Sequence, residues 1–474
     1  MNKSISIDPV TRIEGHARVF INVSESGAIE SAGLVVNELR GFERILVGME
    51  ADRMPLVTAR ICGVCPTAHH LAASRALDYA AGVDPTPAAH LLRELMFMGH
   101  MIHSHCLSLF VLQGPDLVLG LNADPAIRNI VGVVKAVPEV AKKALRCRTI
   151  GQQINEMVGG RGTHPVTSVA GGITFTMDNE KKKQLESWID EAIALVKELA
   201  PVAKHLLLQQ LELHPTILSA WVQPTWSLGT VDNGTFNMYK GKLRIVDDKG
   251  VVRSEFKTEE YDKHLRESVV DWSYMKQVHI QDNGQMQVYR VGPLGRLNAS
   301  ERYGTPLADA ERQQLVSAFG LPSHHTVLQV YARVIELIHV VERAKHIISD
   351  PDISGETRRD VRFRGGRGVG HVEAPRGTLI HDYEIDANGI VRSANLIVAT
   401  QQNYCAINTT IAQAAQEFVA GKASDEALLN AVEFGIRCYD PCLSCATHAM
   451  GPMPLEIIIS RHGTIQKVMR RTPA

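Results

Sequence analysis

The sequence predicts a helix-rich α+β protein, in which a central bundle of long helices carries small peripheral β-sheets. Two observations favour this class. Several long stretches place apolar residues at three- and four-residue intervals, and shorter stretches elsewhere alternate apolar and polar residues. The 474 residues are 45% hydrophobic and 21% charged, which is enough apolar material for a large core and excludes disorder as the main state.

The amino-terminal region, about residues 1–40, is predicted to form a small sheet. Residues 17–23 and 29–36 alternate apolar and polar side chains on either side of Ser26-Gly27. A short Gly-containing link between two alternating runs is typical of a β-hairpin. A sheet is therefore expected at the start of the chain.

Long apolar-rich stretches predict the helices of the central bundle. Residues 88–112 are predicted to form one long helix, and the stretch after Asp124 is predicted to form another, bent at Pro138. The remaining predicted helices have the same spacing of apolar residues and cover residues 178–213, 327–348, 411–420 and 425–434.

Strand-like segments interrupt the helical pattern twice. Residues 230–291 are richer in Gly and Asp, and residues 242–246 and 251–256 flank an Asp-Asp-Lys-Gly turn, which predicts a β-rich insertion. A further hairpin is predicted from Thr378 through Asn388-Gly389 to Val398.

Charge and hydropathy exclude several functional classes. The chain has 50 Lys and Arg against 51 Asp and Glu, so there is no electrostatic reason to expect a nucleic acid or an anionic membrane as partner. Met1–Arg12 does not resemble a secretory signal, and no run approaches the roughly 18 apolar residues of a membrane span, so a cytoplasmic location is expected.

One stretch, Arg358–Arg367, contains five arginines with glycines in or beside it. It lacks the strand and helix context of a phosphate-binding loop. An exposed loop or a contact with a partner protein is therefore the favoured interpretation.

The eight cysteines are too sparse for a disulfide scaffold, and their spacing is the informative feature. Cys62-Gly-Val-Cys65 and Cys442-Leu-Ser-Cys445 are both C-x-x-C pairs, in which two sulfurs can face one point. Nearly the whole chain separates them, so a four-thiolate site would form where the two ends meet in the core. The other cysteines are interpreted as packing residues: Cys106, Cys147, Cys405 and Cys438.

Metal binding is the favoured interpretation of the two pairs, with a redox dithiol and coincidence as alternatives. Four buried thiolates need soft cations to neutralise them. Zinc, iron-sulfur clusters, copper(I) and nickel all accept such donors, and the spacing alone does not choose among them.

Longer segments around these cysteines carry a family resemblance. The sequence resembles the large, catalytic subunit of nickel-iron hydrogenases over essentially the whole chain, and within that family it is most similar to the soluble NAD-reducing bidirectional branch. The segments that carry the family resemblance are Asp8–His16, Arg40–Glu43, Arg60–His69, Glu373–Arg376, Asn395–Thr400 and Asp440–His448. Those that indicate the branch are Tyr239–Asp248, Trp272–Lys276 and Arg290–Arg296.

The resemblance implies the nickel-iron hydrogenase large-subunit fold, with residues 1–448 as one catalytic unit. It implies that all four thiolates ligate nickel, and that Cys65 and Cys445 also bridge to an iron carrying carbon monoxide and cyanide. The soft-donor argument agrees with this assignment. The implied reaction is the reversible oxidation of H2 to protons and electrons.

Catalytic roles also follow from the resemblance. Glu14 corresponds to the first proton acceptor from a nickel-bound thiolate. Arg376 corresponds to the arginine over the open metal position, where Asp116 and Asp440 are expected to hold its guanidinium. His69, one helical turn after the second cysteine, is expected to hydrogen-bond the Cys65 sulfur.

Two further groups of residues are implied to surround metals. Pro375 and Val398 would form an apolar wall around the iron diatomics, while the Thr400 hydroxyl would donate to a cyanide nitrogen. A site for magnesium or another divalent ion is implied at Glu43, the backbone carbonyl of Leu396, and His448.

The resemblance finally implies processing and partners. Residues 449–474 would be a carboxyl-terminal extension, cleaved by a maturation endopeptidase after nickel-insertion factors have acted. Because the remaining cysteines form no set with the spacing of an iron-sulfur site, an iron-sulfur small subunit is expected, together with diaphorase subunits that hold FMN and NAD.

Alternatives of other kinds remain at this point. A related cytosolic hydrogenase would use NADP or a deazaflavin as acceptor. A structural zinc protein would bind one zinc and no nickel. A quinone-site component of a respiratory complex would share the fold but typically lacks these four cysteines.

Overall fold

The computed structural model describes residues 3–420, 426–447, 455–461 and 464–471, and it has the predicted α+β architecture. The α-helices are α1 (Phe42–Leu46), α2 (Met54–Thr58), α3 (Pro66–Ala81), α4 (Pro87–Cys106), α5 (Gly114–Leu119), α6 (Ile130–Ala136), α7 (Pro138–Gly159), α8 (Asn179–Leu213), α9 (Pro215–Ala220), α10 (Tyr261–His264), α11 (Pro293–Ala299), α12 (Pro306–Phe319), α13 (Leu328–Ser349), α14 (Ala399–Gln402), α15 (Tyr404–Phe418), α16 (Glu426–Cys438) and α17 (Leu443–Ala446).

The strands are short and form separate small sheets. They are β1 (Lys3–Ile7), β2 (Arg18–Val23), β3 (Ile29–Val35), β4 (Ser168–Val169), β5 (Gly172–Ile173), β6 (Trp226–Asp232), β7 (Thr235–Phe236), β8 (Lys242–Val246), β9 (Val252–Phe256), β10 (Leu265–Val270), β11 (Ser273–Asp282), β12 (Gln285–Gln287), β13 (Tyr289–Arg290), β14 (Gly366–Ala374), β15 (Gly377–Ile385), β16 (Val391–Ile397), β17 (Leu455–Arg461) and β18 (Thr464–Arg471).

Helices α4, α7, α8 and α13 pack against one another and form the central bundle. Helix α4 begins where Thr86 accepts a hydrogen bond from the Ala89 amide, with Pro87 at the first helical position. The buried faces of these helices carry the apolar residues whose spacing predicts them.

The stretch after Asp124 differs from the prediction of one bent helix. It forms two helices, α6 and α7, because Val137 leaves the helical conformation (φ −138°, ψ 62°) immediately before Pro138. Proline disfavours a helical residue before it and lacks the amide hydrogen that would continue the helix.

One helical segment is long enough to cross a membrane. Residues Pro87–Leu112 meet the length and hydropathy of a span, which corrects the expectation that no segment reaches them, but 72% of the apolar window is buried inside the protein. Within the described residues this segment is therefore a core helix of the bundle.

The predicted hairpins are present, and two of them gain a strand that the sequence analysis did not expect. Strands β2 and β3 pair as predicted, with β1 added on the other side of β2. Strands β15 and β16 likewise pair, and β14 joins them from the end of the arginine-rich stretch.

Close packing against a helix explains two of the glycines in β14, which begins at the end of the arginine-rich stretch. A β-carbon at Gly368 or Gly370 would collide with backbone atoms of α3, including the Ala76 carbonyl of that helix. The strand therefore lies directly against the helix, as glycine permits. The five arginines are exposed, and Arg367 pairs with Asp262 and Asp382.

Candidate metal centre

The four cysteine sulfurs from the two ends of the chain lie together in the core. All four Sγ atoms are within 4.8 Å of one another, and each cysteine is at most 5% exposed. The Sγ atoms of Cys62 and Cys442 are 3.3 Å apart, and those of Cys65 and Cys445 are 3.1 Å apart. Among the described residues, this is the one cluster of three or more side chains suited to a metal ion.

Each pair sits where the chain enters a helix. Cys65 immediately precedes α3, and the amides of Val64 and Cys65 donate to the Cys62 sulfur over 3.2 and 3.4 Å. Cys442 immediately precedes α17, and Cys445 lies within it. The three-residue spacing thus turns both sulfurs of a pair toward one point.

Burial makes several negative sulfurs unfavourable without a cation. Burial raises the pKa of the Cys442 and Cys445 thiols well above the ordinary value, and neighbouring sulfurs add to the shift for Cys442. Hydrogen bonds from the other cysteines instead lower the pKa of Cys62. A soft cation is therefore what would allow all four to be thiolates, so the donor set fits a metal centre.

Glu14 lies beside Cys442, one of the four clustered cysteines. The Cys442 thiol donates to Glu14 Oε2 over 3.0 Å, and the same oxygen accepts from the Ser444 amide. The backbones of Glu14 and Cys442 form a short parallel bridge. Gly15 is required there, because φ is +83° and a β-carbon would lie 2.9 Å from that of Leu443.

Arg376 reaches the sulfur cluster and is held by Asp440. Its Nε donates to the Asp440 carbonyl oxygen over 2.5 Å, and Nη2 donates to Oδ1 over 3.1 Å. Its Nη1 is buried without a hydrogen-bond partner. Burial lowers the pKa of Arg376, but Asp440 and the cysteines outweigh this and raise it well above the ordinary value, so the side chain is a fixed cation.

The expectation that Asp116 also holds Arg376 is wrong. Asp116 instead accepts two hydrogen bonds of 2.7 Å from Arg12 and pairs with Arg437 at 3.0 Å. Asn430 donates to the same carboxylate. Two nearer guanidinium groups satisfy this buried carboxylate, which leaves Asp440 as the partner of Arg376.

His69 contacts a different cysteine from the one expected. Its Nε2 lies 3.4 Å from the sulfur of Cys445, whereas the helical spacing predicted Cys65. Its other nitrogen, Nδ1, lies 3.1 Å from Nε2 of His381.

A small cavity adjoins the cysteines, and Pro375, Val398 and Thr400 all line it, together with Arg376. The Thr400 hydroxyl oxygen accepts a hydrogen bond from the Cys442 amide over 2.9 Å. Its own hydrogen is therefore available for a group inside the cavity. The orphaned Nη1 of Arg376 is a second donor at the same cavity.

The implied divalent-ion site is partly described. Glu43 and Leu396 lie together, since the Leu396 amide donates to Glu43 Oε1 over 2.9 Å. His448, the third implied ligand, lies outside the described residues.

Sequence reasoning missed several buried polar residues near the centre. Arg296 donates to the carbonyl oxygens of Ala374 and Pro375 and pairs with Glu336 and Glu373. Spacing along the chain could not reveal these partners, because they come from three different elements. Cys106, Cys147, Cys405 and Cys438 are buried and unbridged, as expected for packing residues.

Comparison with known proteins agrees with this geometry. The sequence profile described as nickel-dependent hydrogenase matches residues 40–131 and 232–448, and one described as HoxL-like matches residues 4–39. The chain belongs to the nickel-dependent hydrogenase family. The four cysteines, Arg376 and Asp440 all fall within the matched regions.

Relatives of this hydrogenase cover nearly its full length. It is 44% identical over 414 residues to the vhu polypeptide of an F420-non-reducing hydrogenase from Methanococcus voltae, covering 87% of this chain and 98% of the relative. It is 36% identical over 477 residues to the beta chain of the NAD-reducing hydrogenase HoxS of Cupriavidus necator, covering 97% of each.

A solved structure supports the fold. A chain from the crystal structure of an NAD+-reducing [NiFe]-hydrogenase in the H2-reduced state superposes with a TM-score of 0.90 at 36% identity, covering 94% of this hydrogenase and 99% of that chain. The predicted nickel-iron hydrogenase large-subunit fold is thus confirmed. The chain is a hydrogenase catalytic subunit whose four-cysteine site fits a nickel-iron centre.

Proposed function

We propose that this hydrogenase catalyses the reversible oxidation of H2 to two protons and two electrons, with Cys62, Cys65, Cys442 and Cys445 as the metal ligands. The observation that carries the proposal is the convergence of these four buried sulfurs beside a fixed cation and a carboxylate. A bound nickel-iron centre would supply the Lewis acidity and the redox chemistry.

Glu14 takes the proton that heterolytic cleavage leaves on the Cys442 sulfur. The 3.0 Å contact between Cys442 Sγ and Glu14 Oε2 supports this role, because proton transfer requires hydrogen-bond distance. Glu14 is also partly exposed, so it can pass the proton on toward solvent.

Arg376 would stabilise the charge that develops when H2 is cleaved at a bound metal centre. Its Nε and Nη2 are occupied by Asp440, which leaves Nη1 to face the cavity. A preoriented cation in a dry site acts on developing charge without reorganising.

Pro375 and Val398 would surround the carbon monoxide and cyanide ligands of a bound iron, and Thr400 would donate to a cyanide nitrogen. Their placement on one cavity wall and the unassigned hydroxyl hydrogen of Thr400 support this. Glu43, the Leu396 carbonyl and His448 would hold magnesium or another divalent ion; the hydrogen bond from the Leu396 amide to Glu43 supports the first two as neighbours.

Electrons leave through an iron-sulfur small subunit to diaphorase subunits that hold FMN and reduce NAD. A relative named as NAD-reducing and the structural neighbour support this acceptor. Relatives named as F420-non-reducing hydrogenases are equally similar, so the alternative is a related enzyme with another acceptor, such as NADP or a deazaflavin.

Assembly takes place in the cytoplasm, where nickel-insertion factors load the site. A maturation endopeptidase then removes residues 449–474, a segment in which β17 and β18 form a two-stranded sheet. A removable tail would keep the carboxyl-terminal cysteine pair accessible until the metals are in place.

The test is isolation of the native complex with its partner subunits. We expect nickel and iron in the large subunit, infrared bands of metal-bound carbonyl and cyanide, and H2-dependent reduction of NAD. Reduction of NADP or a deazaflavin instead would select the alternative acceptor. One zinc without nickel would indicate a structural zinc protein and overturn the proposal.

A further inference from the structure

A line of buried hydrogen bonds runs from the metal centre into the core. His69 Nε2 lies 3.4 Å from Cys445 Sγ, and His69 Nδ1 lies 3.1 Å from His381 Nε2. His381 Nδ1 in turn lies 2.6 Å from the Tyr383 hydroxyl oxygen. His69 is 1% exposed, and His381 and Tyr383 are 0% exposed, so the line is shielded from water.

The fold brings these residues together from two elements. His69 lies on α3, whereas His381 and Tyr383 alternate along β15 and therefore point to the same side of the strand. Helix α3 packs directly on β15. The centroids of the His69 and His381 rings are 5.3 Å apart.

A donor at His69 Nε2 would fix the order of the protons along the line. A neutral imidazole has one N–H donor and one bare nitrogen acceptor. If His69 donates Nε2–H to the Cys445 thiolate, its Nδ1 must accept from His381 Nε2–H. His381 Nδ1 is then bare and must accept from the Tyr383 hydroxyl. Each donor in the line thus determines the next.

We propose that His381 and Tyr383 are positioning residues that lock His69 as an N–H donor to the metal-ligating sulfur of Cys445. The inference rests on the proposed function, since it takes Cys445 to be a thiolate ligand. A fixed N–H donor draws electron density from the Cys445 sulfur. It thereby lowers the electron density at the metals that this sulfur would bind.

Beyond His381, the Tyr383 hydroxyl forms a hydrogen bond with buried Thr58, so the line leads deeper into the core. The neighbouring Thr58 hydroxyl donates to the Met54 carbonyl oxygen, and both residues are fully buried. Burial raises the pKa of Tyr383 well above its ordinary value, so its hydroxyl stays protonated and remains a donor.

The test compares infrared spectra of loaded holoenzymes. In Tyr383→Phe the donor to His381 is lost, and we expect the metal-bound carbonyl band to move to lower wavenumber, because the Cys445 sulfur becomes more electron-rich. Activity should fall by about 10-fold or less at unchanged nickel content. A band that stays at the wild-type position in a loaded Tyr383→Phe holoenzyme would overturn the lock.

Tyr404→Phe is the matched control. Tyr404 is also fully buried, and its hydroxyl donates to the Leu34 carbonyl oxygen, outside the metal centre. This variant should lose similar stability but leave the carbonyl band in place. An equal shift in the control would show that the effect is structural and overturn the proposal.

A second pair of variants tests His381 itself. In His381→Gln the side-chain amide can still donate to His69, whereas His381→Leu has no donor. The glutamine variant should restore most of the band position that the leucine variant loses; equal shifts in the two variants would contradict the lock.

Neutron diffraction of the wild-type holoenzyme decides the matter without any variant. Deuterium on Nε2 of both His69 and His381 is the expected result, and deuterium on either Nδ1 would overturn the proposed positioning of His69.

The infrared spectrum of the wild-type enzyme separates this proposal from the proposed function. If that spectrum has no metal-bound carbonyl band, both proposals fail. A normal carbonyl band with the wrong proton order refutes only the positioning of His69 by His381 and Tyr383.

Discussion

At the scale of single residues, neighbours decide what a buried charge does. Asp116 and Asp440 are both buried aspartates near the centre, yet Asp440 holds Arg376 while Asp116 is satisfied by Arg12 and Arg437. A buried carboxylate binds the nearest guanidinium groups because an unpaired charge is costly in the core. Residue type alone therefore does not assign the role.

Glu14→Gln removes the proposed proton acceptor while keeping the size of the side chain. We expect nickel and iron content to stay at the wild-type level and hydrogen/deuterium exchange to fall on the order of 10²–10⁴-fold, as for loss of a general base. Isotope exchange in H2/D2O, measured by mass spectrometry beside metal analysis, checks this. Retained exchange would contradict the role.

Arg376→Lys keeps a positive charge but loses the planar guanidinium that bridges Asp440 and the cavity. H2 oxidation should fall about 10²-fold or more at unchanged nickel content, because one preoriented donor at a reacting centre commonly contributes this much. Steady-state rates normalised to nickel provide the measurement. Lys345→Arg, at an exposed ion pair with Asp190, is the control and should retain full activity.

At the scale of elements, the bundle depends on close approach of α4 and α7. A β-carbon at Gly151 would lie 2.6 Å from the Gly99 carbonyl oxygen and from the His103 amide nitrogen, so the two helices cross with backbone in contact. Helix α4 then leads to α5, which carries Asp116.

Gly151→Ala should separate these helices. Overpacking of this kind costs about 1–3 kcal/mol, since backbone atoms must move to make room for the methyl group. Thermal unfolding monitored by circular dichroism should show a lower Tm. Lys142→Ala, on the exposed face of the same helix, should change the Tm little. An unchanged Tm for Gly151→Ala would contradict the close crossing.

A buried charge network connects the bundle to the strand that precedes Arg376. Glu336 of α13 pairs with Arg296 of α11 at 2.7 Å and contacts His105 of α4 at 3.0 Å. Burial alone would raise the pKa of Glu336, but Arg296 and His105 lower it from 4.5 to about 2. Arg296 also holds the backbone at Ala374.

Glu336→Gln should destabilise the protein by about 1–3 kcal/mol at neutral pH, because Arg296 loses one of its two carboxylate partners and keeps only Glu373. Because the folded-state pKa is depressed, the stabilisation from this carboxylate is present above pH 4.5 and is lost as the pH falls toward 2. Denaturant titrations at several pH values should show a shallower acid dependence for the variant. Asp190→Asn, at the exposed pair with Lys345, should change little.

At the scale of the whole molecule, the two ends of the chain assemble one site. The Glu14 amide donates to the Pro441 carbonyl oxygen, and the Leu443 amide donates to the Glu14 carbonyl oxygen, so segments from the two ends are hydrogen-bonded beside the sulfurs. Folding must therefore be nearly complete before four cysteines can hold a metal.

Cleavage after His448 should accompany maturation. We expect the intact mass of the active large subunit to end at His448, and that of nickel-free protein to include residues 449–474. Mass spectrometry of both forms is the measurement. A fully active enzyme with the extension still attached would refute cleavage as a requirement.

Much of the architecture was predictable because it follows local rules. Helices α8 and α13 have apolar residues at helical spacing, and the hairpin of β8 and β9 has a turn sequence between alternating runs. Strand β14 was not predicted, because its glycines serve contact with α3 rather than a local pattern. At Val137 the helix ends, whereas the sequence analysis expected one helix with a bend at Pro138.

The donor chemistry can be read from the amino-acid sequence: two pairs of sulfurs, each at a spacing that brings both to one point, within segments that resemble one enzyme family. Three features become visible only in the folded chain: His69 lies beside Cys445, Asp440 rather than Asp116 holds Arg376, and His381 and Tyr383 extend the line of hydrogen bonds. Spacing along a helix or strand fixes which side chains share a face. Which face meets which is decided by packing between elements that are distant in the chain.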